Sequence, residues 1–209
     1  MNVTKSVEKY VLERPVLKDS LKKGLINYSK LSRLIIKETE LKPADFDAVL
    51  IACRRVFEKL KKKPSFEKEI IEVLKKSKLE IKTKVLVAVV EKTAFFDSLI
   101  TLHKEIKKQK GDLHVIEGVK VITLITGGEF EDLIKKFFKN NLIKIKKNLT
   151  SIVIQSPETL EEVPGVMAYI YSLFGEHGVN IVETMSCWTD TILVVEEAEL
   201  PRIMGFLKF

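Results

Sequence analysis

The run Glu161-Glu162-Val163-Pro164-Gly165-Val166, with Asn180-Ile181 further along, holds residue types from which a site for a small amine-bearing carboxylate can be built. Glycine lets a backbone approach a ligand with no Cβ in the way. A helix entered at Gly165 presents unpaired N–H groups and the positive end of its dipole, both suited to a carboxylate. Asn180 offers a donor and an acceptor to an α-amino or α-carboxylate group. Glu161 and Glu162 offer carboxylates to an ammonium. The same residues also make an efficient strand-to-helix turn with Asn180 in a tight loop, and the sequence leaves both readings open.

Other chemistry-bearing residues do not converge. His103, His114 and His177 lack metal-ligand spacing. Cys53 and Cys187 lie in different segments and are expected to be two buried free thiols. Gly127-Gly128 precedes a helix without the lysine or glycine pattern of a phosphate loop, so it reads as a turn. Cys187-Trp188-Thr189-Asp190 joins two strands. There Thr189-Asp190 supplies turn chemistry and Trp188 an exposed packing or interface side chain. No nucleophile–base pair or paired acid–base carboxylates can be assembled. The chain therefore reads as non-enzymatic, with no catalytic residue, metal or cofactor.

The elements that must position these residues follow from periodicity. Up to about residue 78 the apolar spacing is helical. Val7, Tyr10 and Val11 share a face. Pro15 opens a helix that Gly24 closes, and Asn27 caps Tyr28–Glu38 with a stripe of Leu31, Leu34, Ile35 and Ile36. Pro43 precedes a longer helix over Ala44–Lys62, and Ser65 is expected to cap a last one through Lys76. At Ile81 the pattern becomes β-branched and short. IKTKVLVAVV is a strand, Ala94–Lys108 a helix, LHVIEG and KVITLIT strands, GGEFEDLIKKFFKN a helix and NLIKIKKN a strand. From Leu149 the plan restarts: LTSIVIQS, a helix over Gly165–Glu176, VNIVETMS, TILVVEE, and a helix over Leu200–Leu207. No fourth strand follows. The expected fold class is α+β: an all-helical domain (residues 1–80), then two tandem ferredoxin-like βαββαβ units (81–148 and 149–209).

A strand, Val-Pro-Gly-Val entering a helix, and Gly-Val-Asn-Ile opening the next strand resemble an ACT domain, and most of all the paired ACT domains of aspartate kinases. The resemblance rests on Val163, Pro164, Gly165, Val166, Ile170, Leu173, Phe174, Gly178, Asn180 and Ile181, with Met185-Ser186 after them. It implies a regulatory module that binds an amino acid. Glu162, Val163, Pro164, Gly165, Val166, Asn180 and Ile181 become candidate ligand residues, and such units are expected to pair side by side in a homodimer. In residues 81–148 the corresponding loop, Glu91-Lys92-Thr93-Ala94, has no Pro-Gly.

The helical front loosely resembles a helix-turn-helix of the winged-helix kind. Ser29–Glu38 would support Asp45–Lys63 as recognition helix. Arg54, Arg55, Lys59, Lys61, Lys62 and Lys63 would then face phosphates of duplex DNA. These residues also complement the dipole at a helix C-terminus. The net charge of +7 is unevenly spread: +8 over residues 1–80, +6 over 81–148 and −7 over 149–209. A basic front and an acidic end attract one another or serve different partners, although lysines equally keep a helical surface soluble. The N-terminus carries Lys5, Glu8 and Lys9 and no long apolar run, so a cytoplasmic protein is expected, without signal peptide or membrane span. The favoured function is a regulatory sensor of a small ligand, with the basic helical domain as its candidate DNA-binding part; the rival is a subunit docking on a biosynthetic enzyme without DNA binding.

Overall fold

The computed structural model describes residues 2–62, 64–92 and 96–208. Its contacts divide the chain into two compact units, Met1–Ser65 and Phe66–Phe209.

The first unit is helical: α1 (Val3–Leu12), α2 (Pro15–Lys22), α3 (Tyr28–Glu38) and α4 (Phe46–Lys61). The Asn2 and Asn27 carboxamides accept from the amides of Lys5 and Lys30 at 3.3 and 3.0 Å, satisfying first-turn donors of α1 and α3. Val7, Val11, Leu21, Ile35, Val49, Cys53 and Leu60 are among the side chains closing its core. Leu34, expected in the buried stripe of α3, is 42% exposed, because the helical period puts Leu31 and Ile35 at the centre of that face. The Tyr10 hydroxyl donates to Glu38 at 2.6 Å, with the Arg14 guanidinium 3.6 Å over the Tyr10 ring.

The second unit begins earlier than periodicity suggests. Helix α5 (Glu67–Lys75) packs in the core of the sheet, with Val73 and Leu74 buried against Ile154, Leu160 and Phe174. Ser65 does not cap it; the N-cap position is Phe66, without a side-chain bond. Then follow β1 (Lys78–Glu91), α6 (Phe96–Lys108), β2 (Leu113–Glu117), β3 (Val121–Gly127), α7 (Glu131–Phe138), β4 (Leu142–Gln155), α8 (Val166–Glu176), β5 (Ile181–Cys187), β6 (Asp190–Glu196) and α9 (Leu200–Phe206). Ala94, expected to open the first of these helices, lies outside the described residues.

Among the described residues the strands form one antiparallel sheet in the order β2-β3-β1-β4-β6-β5. This departs from two consecutive units. β1 and β4 are each fourteen residues long and each serves both halves. Val85–Val90 pair with β3 and with Leu142–Leu149. Lys78–Lys82 pair instead with Ser151–Gln155. The strand missing after α9 is therefore supplied by the first five residues of β1, upstream in sequence. Residues 149–156 are expected to begin a fresh strand; 149–155 instead continue β4, which ends at Gln155.

One face of the sheet is covered by helices in two clusters. Phe130, Ile134 and Phe138 pack on Leu86, Ala88 and Val90; Val166, Ile170 and Phe174 pack on Ile152, Ile154, Leu193 and Val195. The other face closes on itself. Val85, Val87, Ile125, Leu149 and Val194 are buried there without any helix. The ladder between β1 and β4 slips in register beside Lys84 and Asn148, both with left-handed backbone.

Candidate ligand site at the start of α8

The chain leaves β4 at Gln155 and passes through a 3-10 turn, Glu158–Glu161, whose Leu160 is buried. At Gly165 it turns into α8 with φ +98°, a conformation that a Cβ would strain. No side chain caps this helix. The Gly165 carbonyl accepts from the Tyr169 amide at 2.9 Å, so the helix is formed from its first turn. A Cβ built on Gly165 would come 3.3 Å from Ile70 Cδ1 of α5.

This turn opens on a groove of 410 Å³, lined among others by Glu161, Val163, Gly165, Val166, Ser186 and Trp188. Trp188 stands at the tip of the β5–β6 hairpin, 61% exposed and at φ +51°. The hairpin is tied back by the Ser156 amide, which donates to the Thr189 carbonyl at 2.9 Å. The groove thus offers an uncapped helix start to a carboxylate, the Glu161 carboxylate to an ammonium, and an indole with Val163 as apolar wall. Glu162 and Pro164 are exposed and do not line it.

Asn180 and Ile181 are elsewhere. They sit at the far end of α8, which at eleven residues spans about 16 Å. Asn180 is exposed and lines a smaller cavity of 240 Å³ on the helix-free side, with Val87, Val89, Lys144, Lys146, Val182 and Glu183. Burial pushes the Glu183 carboxyl up from its ordinary value. One small molecule in a single chain cannot touch both Gly165 and Asn180.

The first half of the sheet holds a counterpart to Asn180 that no motif in the sequence marks. Helix α8 ends with Gly178 at φ +66°, whose amide donates to Gly175, followed by Val179 donating to Phe174. Helix α6 ends with Lys110 at φ +58°, donating to Lys107, followed by Gly111 donating to Ile106. Asp112 therefore occupies the place of Asn180. The signal was a helix followed by Lys-Gly-Asp, matched in spacing to Gly-Val-Asn, and the exchange of glycine for lysine hid it.

In the helical unit, Arg54, Arg55 and Lys61 are exposed on the C-terminal half of α4, and Lys62 is exposed just past its end. Lys59 is tied to Glu8 at 3.1 Å and Lys61 lies 5.8 Å from the Phe57 ring. Lys63 lies outside the described residues. Cys53 is buried in this unit's core and its thiol is pushed up by burial, whereas Cys187, expected to be buried, is exposed beside Trp188. Among the described residues there is no group of three metal-ligating side chains, and no helix is long and apolar enough to cross a membrane.

No protein-family model and no curated protein matches the chain. Solved structures do. Aspartate kinase of Clostridium acetobutylicum, described as an allosteric enzyme, matches at 15% identity and TM-score 0.51, over 62% of this chain and 33% of that one. A structure of aspartokinase alpha and beta subunits matches at 8% identity and TM-score 0.50, over 65% of this chain and 95% of the subunit. The ligand-free regulatory subunit of aspartate kinase from Thermus thermophilus matches at 10% identity and TM-score 0.46, over 63% and 97%. The chain thus spans about a third of the Clostridium enzyme, and what it shares with that enzyme and with the aspartokinase subunits is the fold.

Proposed function

We propose that this chain is a regulatory module without catalysis of its own, which binds a small amino acid at the start of α8 through the second of two interlocked ACT-like units. The observation that carries this reading is the uncapped helix start at Gly165, at φ +98°, opening on a groove of 410 Å³ with Glu161 beside it. An α-carboxylate suits the helix N-terminus and an α-ammonium suits the glutamate. The shared fold with aspartate kinases agrees with a regulatory role.

Asn180 enters the same site from a second copy. β5 is an edge strand, with one row of backbone groups free to pair. Two β5 edges joined antiparallel about a two-fold axis bring the Asn180 end of one copy beside the Trp188 end of the other. The site is then half from each chain, and the ligand stabilises the dimer.

The test is a thermal-shift screen of the full chain against the twenty amino acids. A ligand at 100 times its dissociation constant stabilises by about 2.7 kcal/mol. Gly165→Val is expected to abolish the response to the hit. A flat screen would refute the sensor reading and favour a subunit that docks on a biosynthetic enzyme.

A second reading applies to the helical unit alone. Arg54, Arg55 and Lys62 are exposed and make no ion pair with another described residue, which favours an anionic partner such as duplex DNA. Affinity should then fall steeply with salt, and Arg54→Ala with Arg55→Ala should remove it.

A further inference from the structure

Helix α4 packs against α1, α2 and α3 of the helical unit, and these neighbours leave one arc of it bare. Lys59, 3.1 Å from Glu8, marks the side turned to α1. Cys53 and Phe46 mark the side turned to α3. The Cys53 sulfur accepts from the Ser32 hydroxyl at 3.9 Å, and the Arg33 guanidinium lies 5.6 Å over the Phe46 ring. On the arc between these sides Asp47, Ile51 and Arg55 fall four residues apart and form one ridge, with Ala48 beside it. All four are exposed, Ile51 by 49%.

A lone exposed isoleucine is ordinary. What sets Ile51 apart is a carboxylate one turn before it and a guanidinium one turn after it, neither paired with another described residue. The same polarity runs along the whole helix, with Asp47 in its first turn and Arg54, Lys59 and Lys61 in its second half. Such a ridge is complementary to itself only when reversed. About a two-fold axis through Ile51, residues equally far from position 51 face each other. Ile51 then meets Ile51, and Asp47 of each copy meets Arg55 of the other. A parallel pair would set like charge on like. Glu58, a carboxylate within the basic half, comes to lie towards the first turn of the other α4, the positive end of its dipole.

We propose that the ridge Asp47-Ile51-Arg55 is an interface for a second copy of this chain, packed as an antiparallel α4–α4 pair with Ile51 on the two-fold axis and Asp47 bridged to Arg55 at each end. The small Ala48 lets the second helix come close. A nucleic-acid backbone fits this ridge poorly, because phosphates that reach Arg55 also meet Asp47 on the same line. Pairing leaves Arg54 and Lys61 free on the flank towards α3, where Lys61 lies 5.8 Å from Phe57, itself edge-on to Tyr28. An anionic partner would therefore meet two cationic flanks related by the two-fold. The interface needs neither that partner nor the groove at Gly165, and it stands or falls separately from both.

The test is disulfide trapping in the full chain, purified free of nucleic acid, with Cys187→Ser removing the exposed thiol. On that background Ile51→Cys reports the facing pair. Helix axes about 8–10 Å apart, with Cα atoms about 2.3 Å from each axis, bring facing Cα atoms within reach of a disulfide. A second reporter, Asp47→Cys with Arg55→Cys, keeps Ile51. Within one chain those two positions lie about 12 Å apart along the helix, too far to bridge. Mild oxidation of dilute protein should give covalent dimer from both reporters and not from Leu34→Cys, which is exposed on α3. In the Ile51→Cys chain, Asp47→Arg or Arg55→Asp sets like charges opposite and should cut the dimer roughly tenfold. The two reversals together should restore it, and Gly165→Val should leave it unchanged. If neither reporter exceeds Leu34→Cys, or the double reversal stays as low as the single ones, the pairing is wrong. Dimer that forms only on addition of duplex DNA would overturn it in favour of the anionic partner.

Discussion

Lys84 and Asn148 stand at the seventh position of two fourteen-residue strands, β1 and β4, with nearly equal left-handed backbone, φ +55° and +56°. At each, an antiparallel strand stops pairing with one half of the sheet and starts pairing with the other. The two bends are what interlock the halves.

Lysine tolerates this conformation worse than asparagine, whose short polar side chain is often found there. Lys84→Gly is expected to stabilise the protein by roughly 0.5–1 kcal/mol, after the entropy glycine loses on folding. Asn148→Gly should change less, and Lys84→Val should destabilise by roughly 2 kcal/mol. Denaturant midpoints at constant slope would report each change. A Lys84→Gly variant weaker than wild type would contradict the bend as a point of strain.

The interlock also sets where the chain can be cut. Residues 66–209 carry α5 and the strand Lys78–Lys82 that completes the second half, so that fragment should fold cooperatively. Residues 83–209 lack both and should not. Leu74→Ala, a large-to-small change at a site 1% exposed, should cost about 2–5 kcal/mol in the fragment 66–209. A loss under about 0.5 kcal/mol would mean that α5 is dispensable to the sheet.

Much of this was legible in the sequence, for identifiable reasons. Each helix of the first unit has a local signal, such as Asn27 as cap or Pro15 at the first turn, and local signals survive without tertiary context. The Pro164-Gly165 turn was equally plain. The path of β4 was not, because Asn148-Leu149 looks like a boundary between two strands when the chain runs through it with a bend. Helix α5 reads as part of the helical front and packs in the sheet's core instead, since periodicity says which face is apolar and never what covers it. Asn180 was grouped with Gly165 for the same reason: the residue types match one ligand, and only the length of α8 shows that a single chain keeps them apart.

Acid should act on the Asp112 cluster. Hydrogen bonds from Lys82 and then Lys107 hold its carboxyl down from 3.8 to about 2. A carboxylate depressed in the folded state contributes stability that is fully present above its unfolded value, and that contribution is lost as pH falls from about 4 through about 2. A carboxyl-carbon NMR titration of Asp112 should give a midpoint near the low value, and Lys82→Met with Lys107→Met should move it back towards 3.8. An unperturbed midpoint in the wild type would mean that the lysines do not hold it.

A ligand site that joins Gly165 of one copy to Asn180 of another is tested most directly by mixing two inactive variants. Gly165→Val and Asn180→Ala should each abolish binding of the screened amino acid when measured alone by calorimetry. Mixed in equal amounts after dissociation, they should restore binding at about a quarter of the wild-type stoichiometry. Half the dimers are then mixed, and each mixed dimer has one site with both residues intact. A mixture as inactive as its components, with mixed dimers shown to form, would contradict a site shared between two copies.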